Sequence, residues 1–185
     1  MNTPLRADAA RNVDAVVRTG AFVLARDPNA SVASIAAEAG VDRTTVYRRF
    51  PNRDALLAAV YKAKLDASEA VIEEARLEEA PVPVALHRFA EGIVAVSREW
   101  PVHLDRMWED QIAVERAEAM RARLGRFIDR AVSEGLIAPD LPPGWAMTTL
   151  LAMIDAAAHQ FEDLPPGRAA DLVVASLLKG VSRVS

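Results

Sequence analysis

The segment at residues 31–54 constrains the fold of this chain most strongly, because it describes two short helices separated by a tight turn. Ser31 occupies the position of an N-cap for the first helix. Gly40 follows the last apolar residue of that helix, where a left-handed backbone favours glycine. Asp42 is the expected N-cap of the second helix, and Pro51 ends it. Two helices joined in this way predict a helix-turn-helix, whose second helix enters the major groove of DNA.

The apolar residues of the two helices predict which side of each is buried. The first helix carries apolar residues three and four positions apart, which are Val32, Ile35, Ala36 and Ala39. In the second helix, Val46 and Phe50 lie about one turn apart and face inward. The outer face is then polar and basic, with Arg43, Thr44, Thr45, Tyr47 and Arg48. This face predicts contact with DNA, and a solvated basic helix without a partner is the alternative interpretation.

The same segment resembles the DNA-binding signature of the TetR family of transcriptional regulators. The matching positions are Ile35-Ala36, Ala39-Gly40-Val41, Thr45-Val46-Tyr47, Phe50 and Arg53-Asp54-x-Leu56. The detailed match covers roughly residues 10–57, and the rest of the chain resembles the family only in size and helical character. Asp42, Thr44 and Arg49 depart from the residue types common at their positions. Asp42 preserves the N-cap and adds a negative charge near the DNA phosphates. Thr44 and Arg49 leave undetermined which operator sequence is bound.

Three candidate base contacts lie at the N-terminal end of the second helix, the part that reaches base edges in this class of motif. These residues are Arg43, Thr44 and Thr45. A guanidinium group suits a bidentate pair with guanine, which is the expected role of Arg43. Each threonine offers a methyl group to thymine and a hydroxyl group to a base or a phosphate.

The resemblance implies three further DNA contacts. It places the hydroxyl of Tyr47 on a phosphate and the guanidinium of Arg48 on a phosphate or a base. Arg53 stands where the family commonly has Lys, which implies a phosphate contact at the start of the next helix.

The composition of the whole chain indicates an all-α protein. The 185 residues are 51% apolar, with only 8 Gly, and most of the 11 Pro lie at apparent helix boundaries. No run alternates apolar and polar residues with the β-branched bias of a strand. Further helices are predicted at residues 8–26, 54–79, 84–99, 101–112, 114–135, 145–162 and 167–183. We therefore expect a three-helix DNA-binding domain at residues 1–53 and a helical ligand-binding and dimerisation domain at residues 54–185.

Charge is distributed unevenly along the sequence. The net charge is −4, yet residues 1–64 hold ten Lys and Arg against six Asp and Glu, and residues 65–185 hold twelve against twenty. A basic head on an acidic body is typical of a protein that meets phosphates with one end only. The chain has no Cys, no secretory pattern and no apolar run of membrane-spanning length, so we expect a soluble cytoplasmic protein without membrane contact.

The sequence offers little for catalysis or metal binding. Two of its three His lie one helical turn from an acidic residue, in the pairs His87/Glu91 and Asp155/His159. Each pair is either a two-point metal or acid–base site or an ordinary polar pair. Zinc prefers three or four ligands and no further His or Cys clusters with these pairs, so we expect no metal, no cofactor and no catalytic residue. A small all-α enzyme that uses one of the pairs is the remote alternative.

Aromatic residues and methionines concentrate in the C-terminal part, which suits a pocket for a partly apolar small molecule. The candidate ligand-binding residues are Phe89, Trp100, His103, Met107, Trp108, Phe127 and Trp145. The same residue types suit an ordinary helical core equally well. Two Trp with His103 between them favour a lined cavity at residues 100–108.

The last two predicted helices are apolar nearly all round, and Asp155 is the one charged residue within residues 145–158. Such helices are buried on both sides, which predicts a homodimer through residues 145–183. The resemblance then implies a ligand-responsive regulator, most often a repressor, that binds a palindromic, inverted-repeat operator in double-stranded DNA. A ligand-independent or co-repressed DNA-binding regulator is the alternative within the same class.

Overall fold

The structure of the protein is a computed structural model that describes residues 3–103 and 111–180, with side chains described from Asn12 onward. Within these residues the chain forms eight α-helices and no strand, as expected of an all-α protein. The helices are α1 (Thr3–Arg26), α2 (Val32–Glu38), α3 (Arg43–Arg49), α4 (Arg53–Ala75), α5 (Val82–Glu99), α6 (Gln111–Ser133), α7 (Trp145–His159) and α8 (Pro166–Gly180). Among the described helices, none has both the length and the apolar character needed to cross a membrane.

The chain divides into two compact units. Unit 1 comprises Met1–Leu65 and Glu99–Ala113, and unit 2 comprises Asp66–Arg98 and Val114–Ser185. Helix α4 is continuous across the division at Leu65, so its first half belongs to unit 1 and its second half to unit 2. The boundary expected between residues 53 and 54 separates the DNA-binding domain from the ligand-binding domain by function rather than by packing. It stays a prediction.

Unit 1 packs α1, α2, α3 and the first part of α4 around a small apolar core. Each of these helices contributes side chains that are at most 2% exposed, among them Val16, Ala21, Ile35, Val46, Leu56 and Val60. Helix α1 is needed because two short helices bury too little apolar surface by themselves. Gly20 permits α1 to approach α4, since a Cβ at this position would lie 3.3 Å from Cγ2 of Val60.

Unit 2 is built on a larger apolar cluster to which α4, α5, α6, α7 and α8 all contribute. Its buried members include Ile72, Leu86, Phe89, Val94, Phe127, Leu150, Ile154, Val173 and Leu177. Gly92 lets α5 approach α4 very closely, because a Cβ on Gly92 would lie only 2.6 Å from Cγ1 of Val71.

Arg98, the last residue but one of α5, forms hydrogen bonds with the end of α7 and with the loop between α7 and α8. Its guanidinium donates to the carbonyl oxygens of Leu164 at 2.7 Å, Ala157 at 2.9 Å and Phe161 at 3.0 Å. Carbonyl groups at the C-terminal end of a helix lack donors within the helix, so a side chain from another element can supply them. One arginine side chain thus stabilises the loop that follows α7.

Helix α4 ends four residues before the predicted position at residue 79. Arg76 has a left-handed backbone with a φ of 54°, which stops the helix at Ala75. The Arg76 side chain then turns to Glu79, whose Oε2 accepts from Nε at 3.0 Å. Neither glycine nor proline lies at this helix end, so the local residue types did not predict it.

The predicted helix at 101–112 is wrong over residues 101–103, which are not helical. Pro101 disfavours the helical conformation at Trp100 and so ends α5 at Glu99. Residues 104–110 of this prediction lie outside the described residues, and helix α6 begins at Gln111 rather than at residue 114. The other ends differ by a few residues, as α1 begins at Thr3 and α7 ends at His159.

Candidate functional site

The turn between α2 and α3 has the geometry that the sequence predicts. Gly40 adopts a φ of 66°, and its N–H donates to the carbonyl of Ala37 at 3.1 Å. The N–H of Val41 donates to the carbonyl of Ala36 at 3.0 Å, which completes a Schellman motif at the C-terminus of α2. At the other end of α2, the Ser31 hydroxyl oxygen accepts a backbone N–H at 3.1 Å as its N-cap. Both helix-end assignments are confirmed.

Asp42 fixes the start of α3. Its carboxylate accepts from the backbone N–H of Thr44 at 2.9 Å and of Thr45 at 3.3 Å, so it is the predicted N-cap. The Thr44 hydroxyl and these two N–H groups hold the pKa of the Asp42 carboxyl below its usual value, because each stabilises the charged form. The cap sets the orientation of α3, which buries Val46 against the core of unit 1.

The opposite face of α3 carries five candidate DNA contacts together. Arg43, Thr44 and Arg48 are exposed, whereas Thr45 and Tyr47 are half-buried. The Arg43 guanidinium lies over the Tyr47 ring, with its central carbon 5.1 Å from the ring centroid. Within the described residues, the Arg48 guanidinium has no hydrogen-bond or ion-pair partner. We call these five residues the α3 surface, and its cations and hydroxyl groups suit phosphates and base edges.

The sixth candidate, Arg53, is not on α3. It is the first residue of α4, which Asn52 caps by accepting the N–H of Ala55 at 2.8 Å. The Arg53 side chain is half-buried, and its guanidinium donates to the carbonyl oxygen of Pro28 in the turn between α1 and α2. A phosphate would compete with this internal bond. The contact of Arg53 with DNA therefore stays a prediction, beside a structural role that sequence patterning missed.

Three candidate ligand-binding residues belong to unit 2, in two different environments. Phe89 and Phe127 are each 3% exposed and are members of the apolar cluster. Trp145, the first residue of α7, is 54% exposed. The two phenylalanines therefore have the packing of ordinary core residues, and Trp145 is a surface residue.

The other candidate ligand-binding residues fall in the sequence range 100–108. Trp100 is buried in unit 1 under the guanidinium of Arg18, whose central carbon is 5.4 Å from the ring centroid. His103 is exposed in the same unit. Met107 and Trp108 lie outside the described residues.

A groove of about 410 Å³ opens in unit 2 between α4 and α6, and sequence patterning did not predict it. It is lined by Asp66, Glu69, Ala70, Glu73, Arg116, Ala119, Met120 and Arg123. Arg116 binds Glu69 in a forked pair, with Nε to Oε1 at 2.9 Å and Nη2 to Oε2 at 2.8 Å. It also reaches Asp66 at 2.7 Å. These hydrogen bonds raise the pKa of the Arg116 guanidinium further above its usual value, so the group stays charged.

The second arginine of the groove repeats this arrangement two turns along α6. Arg123 donates from Nε to Glu78 at 3.0 Å and pairs with Glu73. The signal for the groove is the spacing of Arg116 and Arg123 by seven residues, which places both on one face of α6.

The two histidine pairs form polar contacts on the helix surface. His87 on α5 places Nε2 3.1 Å from Oδ1 of Asp171 on α8, and Nδ1 3.8 Å from Oε2 of Glu91. His159 places Nε2 3.6 Å from Oδ1 of Asp155. Over residues 3–103 and 111–180, no group of three or more His, Cys, Asp and Glu side chains is arranged to hold a metal ion. His87 thus joins α5 and α8, and the roles of the two pairs stay a prediction.

Helices α7 and α8 expose apolar side chains near the predicted dimer contact. Trp145 is 54% exposed, Phe161 in the connection is 55% exposed, and Leu172 on α8 is 45% exposed. Leu177, by contrast, is fully buried in the core of unit 2. All three exposed side chains lie within residues 145–183, and exposed large apolar side chains are typical of a protein–protein interface.

The sequence matches a known family over the segment that builds the α3 surface. Residues 27–60 match the family model described as bacterial regulatory proteins, tetR family. This range runs from the turn after α1 into the first part of α4.

The similarity to known proteins extends over nearly the whole chain. It is 32% identical over 173 residues to the HTH-type transcriptional repressor LfrR of Mycolicibacterium smegmatis, an alignment that covers 90% of this chain and 88% of that protein. A crystal structure of the TetR-like regulator LfrR from Mycobacterium smegmatis matches with a TM-score of 0.71 at 31% identity, over 96% of this chain and 99% of that chain. A crystal structure of LfrR in complex with proflavine matches with a TM-score of 0.70 at 27% identity, over 95% and 99% of the two chains.

A more distant structure shows the same fold. The ketosteroid transcriptional regulator KstR2 of Mycobacterium tuberculosis matches with a TM-score of 0.77 at 14% identity, over 93% of this chain and 95% of that chain. The LfrR match includes the helix-turn-helix and the helices that follow it, at an identity that establishes common descent. The chain therefore belongs to the TetR family of bacterial regulatory proteins, and it is a DNA-binding transcriptional regulator rather than an enzyme.

Proposed function

We propose that this regulator is a cytoplasmic repressor that binds an inverted-repeat operator as a homodimer and that a small molecule controls this binding. The observation that supports DNA recognition best is the α3 surface, whose exposed Arg43, Thr44 and Arg48 stand on a helix fixed by the Asp42 cap. The similarity to the repressor LfrR supports repression as the outcome. Two copies related by a two-fold axis would present two such helices, which accounts for an inverted repeat.

The α3 surface divides by position into residues for bases and residues for phosphates. Arg43, Thr44 and Thr45 form the N-terminal end of α3, which reaches base edges in this motif. Tyr47 and Arg48 follow one turn later, where a hydroxyl group and an exposed guanidinium suit backbone phosphates. Phosphate contacts position the protein on the duplex, and base contacts select the sequence.

Selection from a random duplex library with the purified protein tests this proposal. We expect the selected duplexes to contain an inverted repeat with half-sites separated by about one helical turn or a multiple of it. Arg48→Ala removes one phosphate contact from each subunit, so it should weaken binding to all duplexes and lower the slope of log affinity against log salt by about 2.

Arg121→Ala is the matched control for this experiment. It removes an exposed guanidinium from α6, which belongs to unit 2 and carries none of the candidate DNA contacts. Both the affinity and the salt slope of this variant should equal those of the wild type. A selection that returns no shared motif, or an Arg48→Ala variant with unchanged affinity and slope, would remove the α3 surface as the DNA-binding site.

The small-molecule part of the proposal is supported by the LfrR–proflavine complex. An effector changes operator binding only if its affinities for the DNA-bound and free arrangements differ. Proflavine is therefore the first probe to add to the operator complex, with tryptophan emission as a second readout. Release of the operator supports induction, tighter binding supports a co-repressor, and no effect with a broad set of small molecules supports ligand-independent regulation.

A further inference from the structure

We infer that Tyr47 is a positioning residue for Arg43, whose guanidinium reads one base pair in each half-site because the Tyr47 ring holds it in place. The inference rests on the proposed operator binding and names a determinant of specificity within it. It assigns Tyr47 a function beyond the phosphate contact of its hydroxyl group.

The geometry of α3 brings the two side chains together. Arg43 and Tyr47 are four residues apart, so they lie on the same face of the helix, one turn from each other. The central carbon of the Arg43 guanidinium is 5.1 Å from the centroid of the Tyr47 ring, within the distance of about 6 Å that defines a cation–π contact. Tyr47 is half-buried and supplies a fixed platform, whereas Arg43 is exposed and would otherwise move freely.

The nearest competing partner of Arg43 is already engaged. Asp42 precedes Arg43 in the chain, and an ion pair between them would draw the guanidinium away from the duplex. The Asp42 carboxylate instead accepts hydrogen bonds from the backbone N–H groups of Thr44 and Thr45. Within the described part of the chain, Arg43 forms no ion pair with Asp42, and its guanidinium contacts the Tyr47 ring.

A stacked guanidinium keeps the groups that read a base. The cation–π contact uses the face of the planar group, whereas its N–H donors lie in the plane and point outward. Those donors match the O6 and N7 acceptors of guanine in the major groove. Stacking restricts the side chain before binding, so less conformational freedom is lost when the bidentate pair forms. The arrangement favours guanine at the position that Arg43 faces.

Substitutions at Tyr47 separate the ring from its hydroxyl group. Tyr47→Phe keeps the stack and removes the hydroxyl, so it should weaken binding to all duplexes by one common factor and leave base preference unchanged. Tyr47→Leu also removes the stack. It should lower the preference at the base pair that Arg43 reads by about two- to five-fold more than Tyr47→Phe does, the effect of a cation–π contact at an exposed site.

The experiment measures competition between the selected operator and its single-base-pair variants. Arg43→Ala first identifies the base pair at which preference is lost. In the Arg43→Ala background, Tyr47→Leu should cause no further loss of preference, which a double-mutant cycle detects. Arg49→Ala is the matched control, because Arg49 also stacks on an aromatic ring, with its central carbon 6.0 Å from the centroid of Phe50, but at the C-terminal end of α3. This control should leave base preference unchanged.

Two results would overturn the inference. Arg43→Ala with unchanged preference at every base pair would show that Arg43 reads none. Full preference in Tyr47→Leu at the pair lost in Arg43→Ala would show that the ring does not position the guanidinium. Tyr47→Met serves as a second variant without the ring if Tyr47→Leu fails to fold, as judged by circular dichroism. A wild-type protein without any sequence preference would instead contradict the proposed operator binding itself.

Discussion

Arg48 and Arg53 carry the same charged group in different surroundings. Arg48 is exposed on α3, and the described part of the chain offers it no hydrogen-bond or ion-pair partner. Arg53 is half-buried and donates to the carbonyl oxygen of Pro28, which ties the start of α4 to the turn after α1. A guanidinium with an internal partner contributes to folding, whereas one that faces solvent is available to a ligand.

Substitution by alanine separates these two roles. Arg53→Ala removes a hydrogen bond from a charged donor and should lower the free energy of unfolding by about 1–2 kcal/mol. Arg48→Ala should change it by less than about 0.5 kcal/mol, because it is a surface substitution without a partner to lose. Urea unfolding of both variants measures the difference. Equal stability of the two, with a lower salt slope of DNA binding in Arg53→Ala, would instead favour the phosphate contact.

At the scale of helices, Gly92 sets the distance between α4 and α5 in unit 2. A Cβ at Gly92 would lie 2.6 Å from Cγ1, 2.8 Å from Cγ2 and 3.2 Å from Cβ of Val71. Rotation of the Val71 side chain cannot relieve all three contacts, because its Cβ is fixed by the backbone. Only a shift of one helix against the other would make room.

Gly92→Ala should therefore lower the free energy of unfolding by about 1–3 kcal/mol through overpacking. Gly125→Ala is the control, since Gly125 lies inside α6 and a Cβ there would meet no side chain of another described element within 4 Å. That control should raise stability by roughly 0.5–1 kcal/mol, because alanine favours the helix over glycine. Thermal unfolding distinguishes the two changes by sign. A stabilised Gly92→Ala variant would mean that α4 and α5 separate easily.

The helix ends that depend on neighbouring residues were predictable, and those that depend on packing were not. Ser31, Gly40 and Asp42 act through backbone groups within a few residues, so their types and spacing determine the caps. The left-handed Arg76 carries no such signal. Side chains that reach distant elements are equally hidden, and Arg98, with acceptors about 60 residues away in sequence, is an example.

At the scale of the whole molecule, the sequence predicts the DNA-binding residues better than the ligand-binding residues, for the same reason. The five residues of the α3 surface lie within one short segment, so the sequence alone predicts that they lie together. A ligand pocket requires side chains from several helices, and their packing decides which of them face a cavity. The distribution of aromatic residues therefore indicated Phe89 and Phe127 as ligand-binding residues, although both lie in the core. It did not predict the groove between α4 and α6.

Assembly connects the helix surfaces of unit 2 to DNA recognition in unit 1. An inverted repeat is bound tightly only if two recognition helices are linked, since the second half-site is then bound at high effective concentration. Leu172 is 45% exposed on α8, within the segment 145–183 that we propose as the dimer contact. A glutamate there places a charge in an apolar interface while leaving the core of the subunit intact.

Leu172→Glu should therefore shift the protein from dimer to folded monomer and weaken operator binding by about 100-fold or more. Val84→Glu is the matched control, because Val84 is an apolar residue on α5 that is 42% exposed and lies outside the proposed contact. It should keep both the dimer and the affinity. Sedimentation velocity measures the assembly, circular dichroism the helix content, and titration of the operator the affinity. A Leu172→Glu dimer with full affinity would place the contact elsewhere on the subunit, and a monomeric wild type would remove the dimer from the mechanism.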